Sequence, residues 1–571
     1  MKKLLLTCIA AAASFTAFAQ TDVTPVVNKY KGDLYITLGE EVYDEDAKMN
    51  AKVTVSASTE AGKVDFSLPN FSFAGLPLGT IYLPAIALEQ NDSTYTFGKN
   101  NDVRFNFLGG EIVADAHLDE VRSYVKGDSI VAYIPVVWIQ AEATDSTEAV
   151  TTPIYVLFKG SVANSLVLEN TDFNNTEAWG YSKPWNSKDG YFDLSTLDEN
   201  DNFWKASGYT LDDFLNPGGW CIANVTGMSG FGATVVGAPA FMNEDEDNPD
   251  YAVTLTNTAN PMMKTQIVPG YMTLGTSWAT ASLADLKNSA DGGAFGGVGF
   301  NGKPDAIQFD YMRTHGEANP TENATVVAYL WKGEYKQADV PGETGGSSKV
   351  TMYGRDRNIL GIDTNQGGKV SKSEDAACVA SVVKSIEGDQ TDALATMVVD
   401  LNYGEFAGTD VHPDSLNIIF AANDYFGDRN KMGVGNSLTV DNIKFIYRHG
   451  IKNAMINGKE IAFADDNTAT TTETYDENKF SFTKVGEGAT VTKNYNDETG
   501  VLTIRVDAQD VKFNPEATTT YTIQFALVPE AIDQVKADAA SAAKTIYTID
   551  GRRANTLVKG VNIVGGKKIV K

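Results

Sequence analysis

The sequence predicts an all-β protein, and two observations carry that prediction. Short runs rich in Val, Ile, Thr, Tyr and Phe alternate apolar with polar residues from about Thr24 onward. Gly, Asn-Asp and Gly-Asp clusters separate those runs. One stretch, "EDAACVASVVKSIE", reads equally as a helix or a buried strand, because periodicity does not divide the two over so short a run.

The chain opens "MKKLLLTCIAAAASFTAFAQ". Lys2 and Lys3, an apolar run to Phe15 and the small-residue site Ala17-Phe18-Ala19 predict a secretory signal peptide over residues 1–19, cut between Ala19 and Gln20. The run is too short to span a membrane, and no other stretch reaches 18 continuous apolar residues. The expected product is therefore secreted or displayed at the cell surface, with no transmembrane segment.

Residues 24–162 hold "GDLYITL", "AKVTVSAS", "KVDFSLPNF", "VRFNFLG", "SIVAYIPVVWI" and "PIYVLFKGSV". About eight strands in so short a span fit a small barrel or sandwich. Residues 169–450 carry further strand-like runs, such as "YAVTLTNT", "AIQFDYMRT", "TVVAYLWKG" and "SLNIIFAAN", between longer Gly-rich loops, which suits a large β-sandwich. Residues 451–529 predict a small antiparallel sandwich, with "NDETG" as a hairpin turn between Tyr495 and Val501. The Ala- and Lys-containing stretch 530–544 reads as a linker. Residues 545–571 predict a compact hairpin-like module built on Asp-Gly and Gly-Gly turns.

The chain carries 46 basic and 74 acidic residues, for a net charge of −28. Such a surface repels nucleic acid and anionic membranes. The tail reverses this balance, with seven basic residues and the single acid Asp550 from Lys544 to Lys571. Beyond the leader two cysteines remain, Cys221 and Cys378. They form either one disulfide or two buried thiols, and no Cys/His spacing of a metal site accompanies them.

Resemblances to known families enter here. "KYKGDLYITL" and "KVDFSLPNFSFAGLPLGTIYLPAIAL" resemble the calycin-like (lipocalin-like) domain, which implies a β-barrel. "TEAWGYSKPWN", "NFWKASG", "TQIVPGYMTLGTSW", "GKPDAIQFDYMRT" and "GNSLTVDNIKFIYR" resemble the "putative carbohydrate metabolism domain", which implies a jelly roll akin to carbohydrate-binding modules. The third segment resembles the small Ig-like domain that often follows. The tail, from Ile546 through Asp550-Gly551-Arg552-Arg553 to Lys559-Gly560 and Lys567-Lys568, resembles C-terminal sorting segments of exported proteins from Bacteroidetes-type bacteria. That likeness implies an outer-membrane secretion and sorting machinery as partner. Asn562 departs from it, since an aromatic is usual there.

Candidate sites follow from residue chemistry. Four of the seven tryptophans fall between Trp179 and Trp220. Sugar C–H faces pack on exposed rings while hydroxyls need amide and carboxylate partners. The expected carbohydrate-binding residues are Trp185, Trp204, Tyr181, Asn186 and Asp189, with Trp179 and Trp278 read as core. "DENDN" alternates oxygen ligands at Asp198 and Asn200 but lacks the Gly and the final carboxylate of an EF-hand. Jelly-roll carbohydrate modules often hold a structural calcium, so Asp198, Asn200 and Asp441 are the metal candidates; no other cofactor is expected. The acidic run Asn243 to Asp250 reads as a solvated loop. "GGAFGGVGFNG" lacks the Lys-Ser/Thr ending of a phosphate loop and reads as a mobile loop. Asp-Ser motifs mark Ser93, Ser129, Ser146 and Ser415 as O-glycosylation candidates.

None of the four histidines sits in a catalytic pattern. The expected function is glycan capture without catalytic machinery, with polysaccharide as partner. The alternatives are a glycan-active hydrolase using a carboxylate pair in the large domain and an adhesive surface protein binding a protein partner.

Overall fold

The computed structural model describes residues 22–43, 48–73, 76–143, 147–176, 179–181, 208–226, 233–242, 249–260, 264–280, 291–341, 349–362, 368–527, 545–564 and 566–571. The expected signal peptide, with Ala19 and Gln20, lies outside them. Almost all described secondary structure is β, and the helical pieces are single turns such as Asp356–Ile359. The chain divides into two compact units, residues 1–164 and 165–571.

The first unit is a closed eight-stranded barrel. The unit's ten strands are β1 (Asn28–Leu38), β2 (Lys48–Ala57), β3 (Lys63–Phe73), β4 (Leu76–Asn91), β5 (Thr94–Phe97), β6 (Val103–Phe107), β7 (Ile112–Ala116), β8 (Tyr124–Lys126), β9 (Ser129–Ala141) and β10 (Val150–Val162), of which all but β6 and β7 form the ring. The ring runs β10-β1-β2-β3-β4-β5-β8-β9 and closes through β9 and β10. The β6–β7 hairpin pairs with the far half of β9. Alternation is strict where it matters: Ile130, Ala132, Ile134 and Val136 of β9 all face inward and are buried. Tyr30, Phe66, Phe71, Phe97 and Phe158 fill the interior at no more than 1% exposure, as eight strands allow. This barrel is packed with its own side chains.

The closure of β1 on β10 is unusually tight. Gly32 pairs with Gly160, and a Cβ built on Gly32 would lie 2.0 Å from the Lys159 carbonyl oxygen. Only hydrogen fits there.

The core of the second unit is a two-sheet sandwich. One sheet orders strands Cys221–Ile222, Tyr271–Thr273, Ser415–Ala421, Ala324–Lys332 and Ala377–Ile386. The other orders Gly237–Phe241, Tyr251–Thr256, Ser437–Ile446, Ala306–Thr314 and Gln390–Asp400. Their inner faces meet in one core, where Phe309 of the second sheet lies edge-on to Phe420 of the first at 4.9 Å. The ambiguous stretch resolves as the strand Ala377–Ile386, whose β-branched Val382 and Val383 pair with Ala328 and Val327 of Ala324–Lys332, while Val379 falls at a bulge and is buried in the core.

A second layer covers the outer face of the first sheet. It contains the hairpin Thr276–Thr280/Asp291–Phe295 and the three strands Tyr335–Pro341, Lys349–Tyr353 and Lys369–Lys372. Trp278, Val340 and Met352 make its own small core. The Gly-rich run read as a loop belongs here. Gly292 and Gly293 lie within the strand Asp291–Phe295, and Val298–Gly299 pairs with Ser415–Leu416. Gly297 answers to close packing: a Cβ there would lie 2.3 Å from the Leu416 carbonyl oxygen.

Residues 450–527 form two small sheets around Ile456, Leu502, Ile504 and Ile523. The expected hairpin is present, with Asn496 paired to Val501 and Gly500 at φ 69°. The module is not wholly antiparallel, since Thr468–Thr470 runs parallel to Thr518–Gln524. The tail is a four-stranded sheet rather than a hairpin, ordered Arg553–Ala554, Ile546–Thr548, Val561–Val564, Lys567–Val570.

Replacing Gly32 with Ala should destabilise the barrel by about 2–3 kcal/mol, the usual result of forcing atoms into a filled site. Calorimetry of the full chain checks this: one transition should move down by several degrees while the rest of the trace stays put.

Candidate functional site

Five of the seven tryptophans are described. Trp220, Trp278 and Trp331 are buried, whereas Trp138 and Trp179 are half-buried. Trp278 is core, as expected, and stacks on the Arg355 guanidinium at 4.7 Å. Trp185, Trp204, Asn186 and Asp189, expected as glycan contacts, lie outside the described residues, as do Asp198 and Asn200. Tyr181 is described: it is 39% exposed and sits on the short strand Gly180–Tyr181, paired with Leu215–Asn216.

What the structure brings together is an aromatic corner at the edge of the large sandwich. The Trp179 ring meets Tyr251 edge-on at 4.8 Å, and Tyr251 meets Phe241 at 5.2 Å. Tyr251 and Phe241 are cross-strand partners at the open end of the second sheet. Phe241 is 47% exposed. Trp179 is thus half-buried against Tyr251, which itself packs on the sandwich core, a mixed role the sequence reading did not foresee.

A polar notch adjoins these rings. Asn174 donates from Nδ2 to Asp250 (3.2 Å) and accepts the Tyr251 backbone N–H on Oδ1 (2.8 Å). Residue 171 runs alongside the strand Ser437–Ile446, where the Thr171 carbonyl accepts the Ile443 N–H. This places Asp172 and Asp250 near Asp441. Asp441 is fully buried; its carboxylate accepts from the backbone N–H and the side-chain amide of Asn442. Burial, reinforced by the negative fields of Asp250, Asp310 and Asp172, pushes its pKa up to about 7. Asp250, read from sequence as the end of a solvated loop, is instead part of this notch. Tyr251, Phe241, Asp172 and Asn174 were missed. The one sequence signal was the pairing of a turn tripeptide, "NPD", with an aromatic strand start.

Among the described residues no three His, Cys, Asp or Glu side chains converge as a metal site. Asp441 has the oxygen chemistry of a calcium ligand, but its acidic neighbours stand back from it.

The other buried carboxylates are occupied. Asp291 is held by Arg355 (2.9 Å) and Arg429 (3.3 Å). Asp356 accepts the Tyr425 hydroxyl (2.7 Å) and the backbone N–H groups of Ala294 and Arg357. Glu322 accepts from the Gly433 N–H and the Asn436 amide. Burial raises the pKa of Asp356 and of Glu322. Each carboxylate ties loop backbone or a guanidinium, which is a structural task.

Cys221 and Cys378 are both free. They lie on opposite edge strands of one sheet with three strands between them, about 19 Å apart at the usual strand spacing. A disulfide needs Cα atoms within about 7 Å, so the disulfide alternative is excluded. Burial pushes both thiols up. Ser93 and Ser129 are exposed; Ser415 is half-buried with its hydroxyl donated to Asp414. Ser146 lies outside the described residues.

Comparison with known proteins adds the following. A search of curated proteins finds no match. Among solved structures, one titled "putative glycoside hydrolase" from Bacteroides thetaiotaomicron is 9% identical, covering 72% of this chain and 88% of its own, at a TM-score of 0.25. A second, titled for the promiscuous specificity of carbohydrate-binding modules of the β-sandwich superfamily, is 10% identical, covering 73% of this chain and 99% of its own, at 0.15. At those values neither likeness bears on activity. Residues 26–160 match the family model of the Calycin-like beta-barrel domain, in agreement with the closed barrel seen there.

Proposed function

We propose that this is an exported glycan-binding protein whose large sandwich holds sugar at the aromatic corner. The observation that carries the reading is the row Trp179–Tyr251–Phe241, partly open to solvent, set directly against Asp250 and Asn174. Rings offer faces to sugar C–H groups, and the adjacent amide and carboxylate suit hydroxyls. Tyr181, Trp185, Trp204, Asn186 and Asp189 belong to the segment that follows Trp179, so this reading extends the same platform along the chain. The hydrolase alternative is less favoured because the described buried carboxylates already serve backbone or guanidinium groups. Export through the leader, and handling of the basic tail by an outer-membrane sorting machinery, complete the proposal.

We further propose a structural calcium beside Asp441. A buried carboxylate facing three other aspartates gains from a divalent cation, provided Asp172 or Asp250 closes the gap. Asp198 and Asn200 are the remaining candidates.

Two outcomes are expected. On a broad glycan panel the wild type should be retained, and the double substitution Trp179→Ala with Phe241→Ala should weaken retention at least tenfold, about 1.4 kcal/mol. No retention by the wild type removes the proposal; retention unchanged in the variant removes this corner.

The second outcome concerns pH and metal. The folded-state pKa of Asp441 lies above that of an ordinary carboxylate, so between about pH 4 and 7 the folded protein keeps a proton that the unfolded chain has lost. In chelator, stability should fall as pH rises through that window. The variant Asp441→Asn should flatten the fall. Millimolar calcium at pH 7.5 should raise the wild-type midpoint by about 5 °C, as ligand at roughly 100 times Kd does for a domain of this size, and should leave the variant unmoved. Equal calcium responses in both would refute the metal assignment.

A further inference from the structure

A second concave feature lies inside the second unit, at the seam between the large sandwich and the small module that follows it. It is a cleft of about 320 Å³, lined by Lys303, Asp410, His412, Lys484, Glu487 and Gln509 among others. Nothing in the aromatic corner touches it.

Both sides of the seam are held firmly. Asp305 accepts the backbone N–H groups of Arg448 (2.7 Å) and Glu487 (3.0 Å). The Lys303 backbone N–H donates to Gln509 Oε1 at 2.6 Å. The cleft is thus preformed, which lowers the ordering cost of a ligand.

Lys303 is the anomaly. Its side chain is 1% exposed. An ammonium has three donors, yet Nζ makes one hydrogen bond, to the Thr409 carbonyl at 2.6 Å. Glu487 stands 3.9 Å away, too far for a hydrogen bond. The Tyr403 ring lies at 5.3 Å. A buried cation with donors left over is costly unless oxygen acceptors reach it. Lys484, by contrast, spends its ammonium on the Ala489 carbonyl (2.9 Å).

The lining balances its charges. Two ammonium groups, Lys303 and Lys484, face two carboxylates, Asp410 and Glu487. A ligand of either sign meets a like charge, whereas hydroxyl groups accept from ammonium and donate to carboxylate at once. The volume equals about ten waters, enough for one sugar ring together with a few bound waters. We propose that this seam cleft is a second binding site, taking an uncharged polyhydroxyl ligand the size of a single sugar, with Lys303 Nζ as its anchor. The site stands apart from the glycan platform and does not rest on it.

The test uses the full chain with glucose, galactose and mannose as neutral probes and glucuronate as the charged control, followed by saturation-transfer NMR and calorimetry. At least one neutral sugar should bind at millimolar strength, with glucuronate weaker. Lys303→Met should reduce binding at least tenfold. Because Lys303 is buried, a second variant at the exposed rim, Asp410→Ala, carries the test if the first fails to fold, and it should weaken binding severalfold. The double substitution Trp179→Ala with Phe241→Ala should leave monosaccharide binding intact. The proposal is overturned by no neutral-sugar binding to the wild type, by glucuronate binding as tightly as the neutral sugars, by binding retained in the seam variants, or by binding lost in the corner variant alone.

Discussion

The second unit depends on buried carboxylates that hold backbone N–H groups at the joints between its layers. Asp356 ties the short turn 355–360 to the hairpin strand Asp291–Phe295. Glu322 gathers the loop at 433–436 against Asn257. Asp305 fixes the small module to the large sandwich. Asp441 sits just past the end of the pairing of Ser437–Ile446 with Tyr251–Thr256, at an irregularity in its pairing with Ala306–Thr314, and holds the Asn442 N–H. Water competes for such contacts on a surface. In a low-dielectric interior an N–H to carboxylate bond is strong, and loss of one partner leaves an expensive orphan. The sheets supply the hydrophobic core, but these four anchors decide where the loops go and hence where clefts and rings are placed.

That division explains what could be read from the sequence. Strand runs such as "YAVTLT" and "AIQFDYMRT" announce themselves because alternation is local. So does the turn at Gly500, whose left-handed conformation favours glycine. The Gly-rich run 292–302 misled because Gly297 answers to backbone packed against it from Leu416, a contact made across more than 100 residues. The outer layer went unseen for the same reason: Trp278 and Met352 are neighbours only once the first sheet exists to carry them.

The candidate site was legible in part. Tryptophan density marked a stretch whose described end holds Trp179. The partners could not be read off. Tyr251 and Phe241 meet Trp179 through strand pairing, and Asp250 joins Asp441 through a detour of the segment 171–174. Lys303 was silent, since a lysine before a proline in a Gly-rich loop has no pattern of its own. Its burial depends on the small module that closes over it.

The tail follows a different logic. Its 27 residues make a four-stranded sheet from contacts close in sequence, held by turns at Gly551 and Gly566, both in left-handed conformation. Asn562, the position where an aromatic was expected, is fully buried; its amide accepts the Val558 N–H and donates to the carbonyls of Val558 and Gly560. One polar side chain therefore does by hydrogen bonding what a ring would do by packing: it pins the 558–560 loop to the sheet. Tyr547, Ile549, Ile563 and Val570 remain exposed. Exposed apolar side chains on one small sheet are the kind of surface a partner covers. Local folding combined with an exposed apolar and basic face is what a segment needs if other machinery is to grip it, which is the role proposed for this tail.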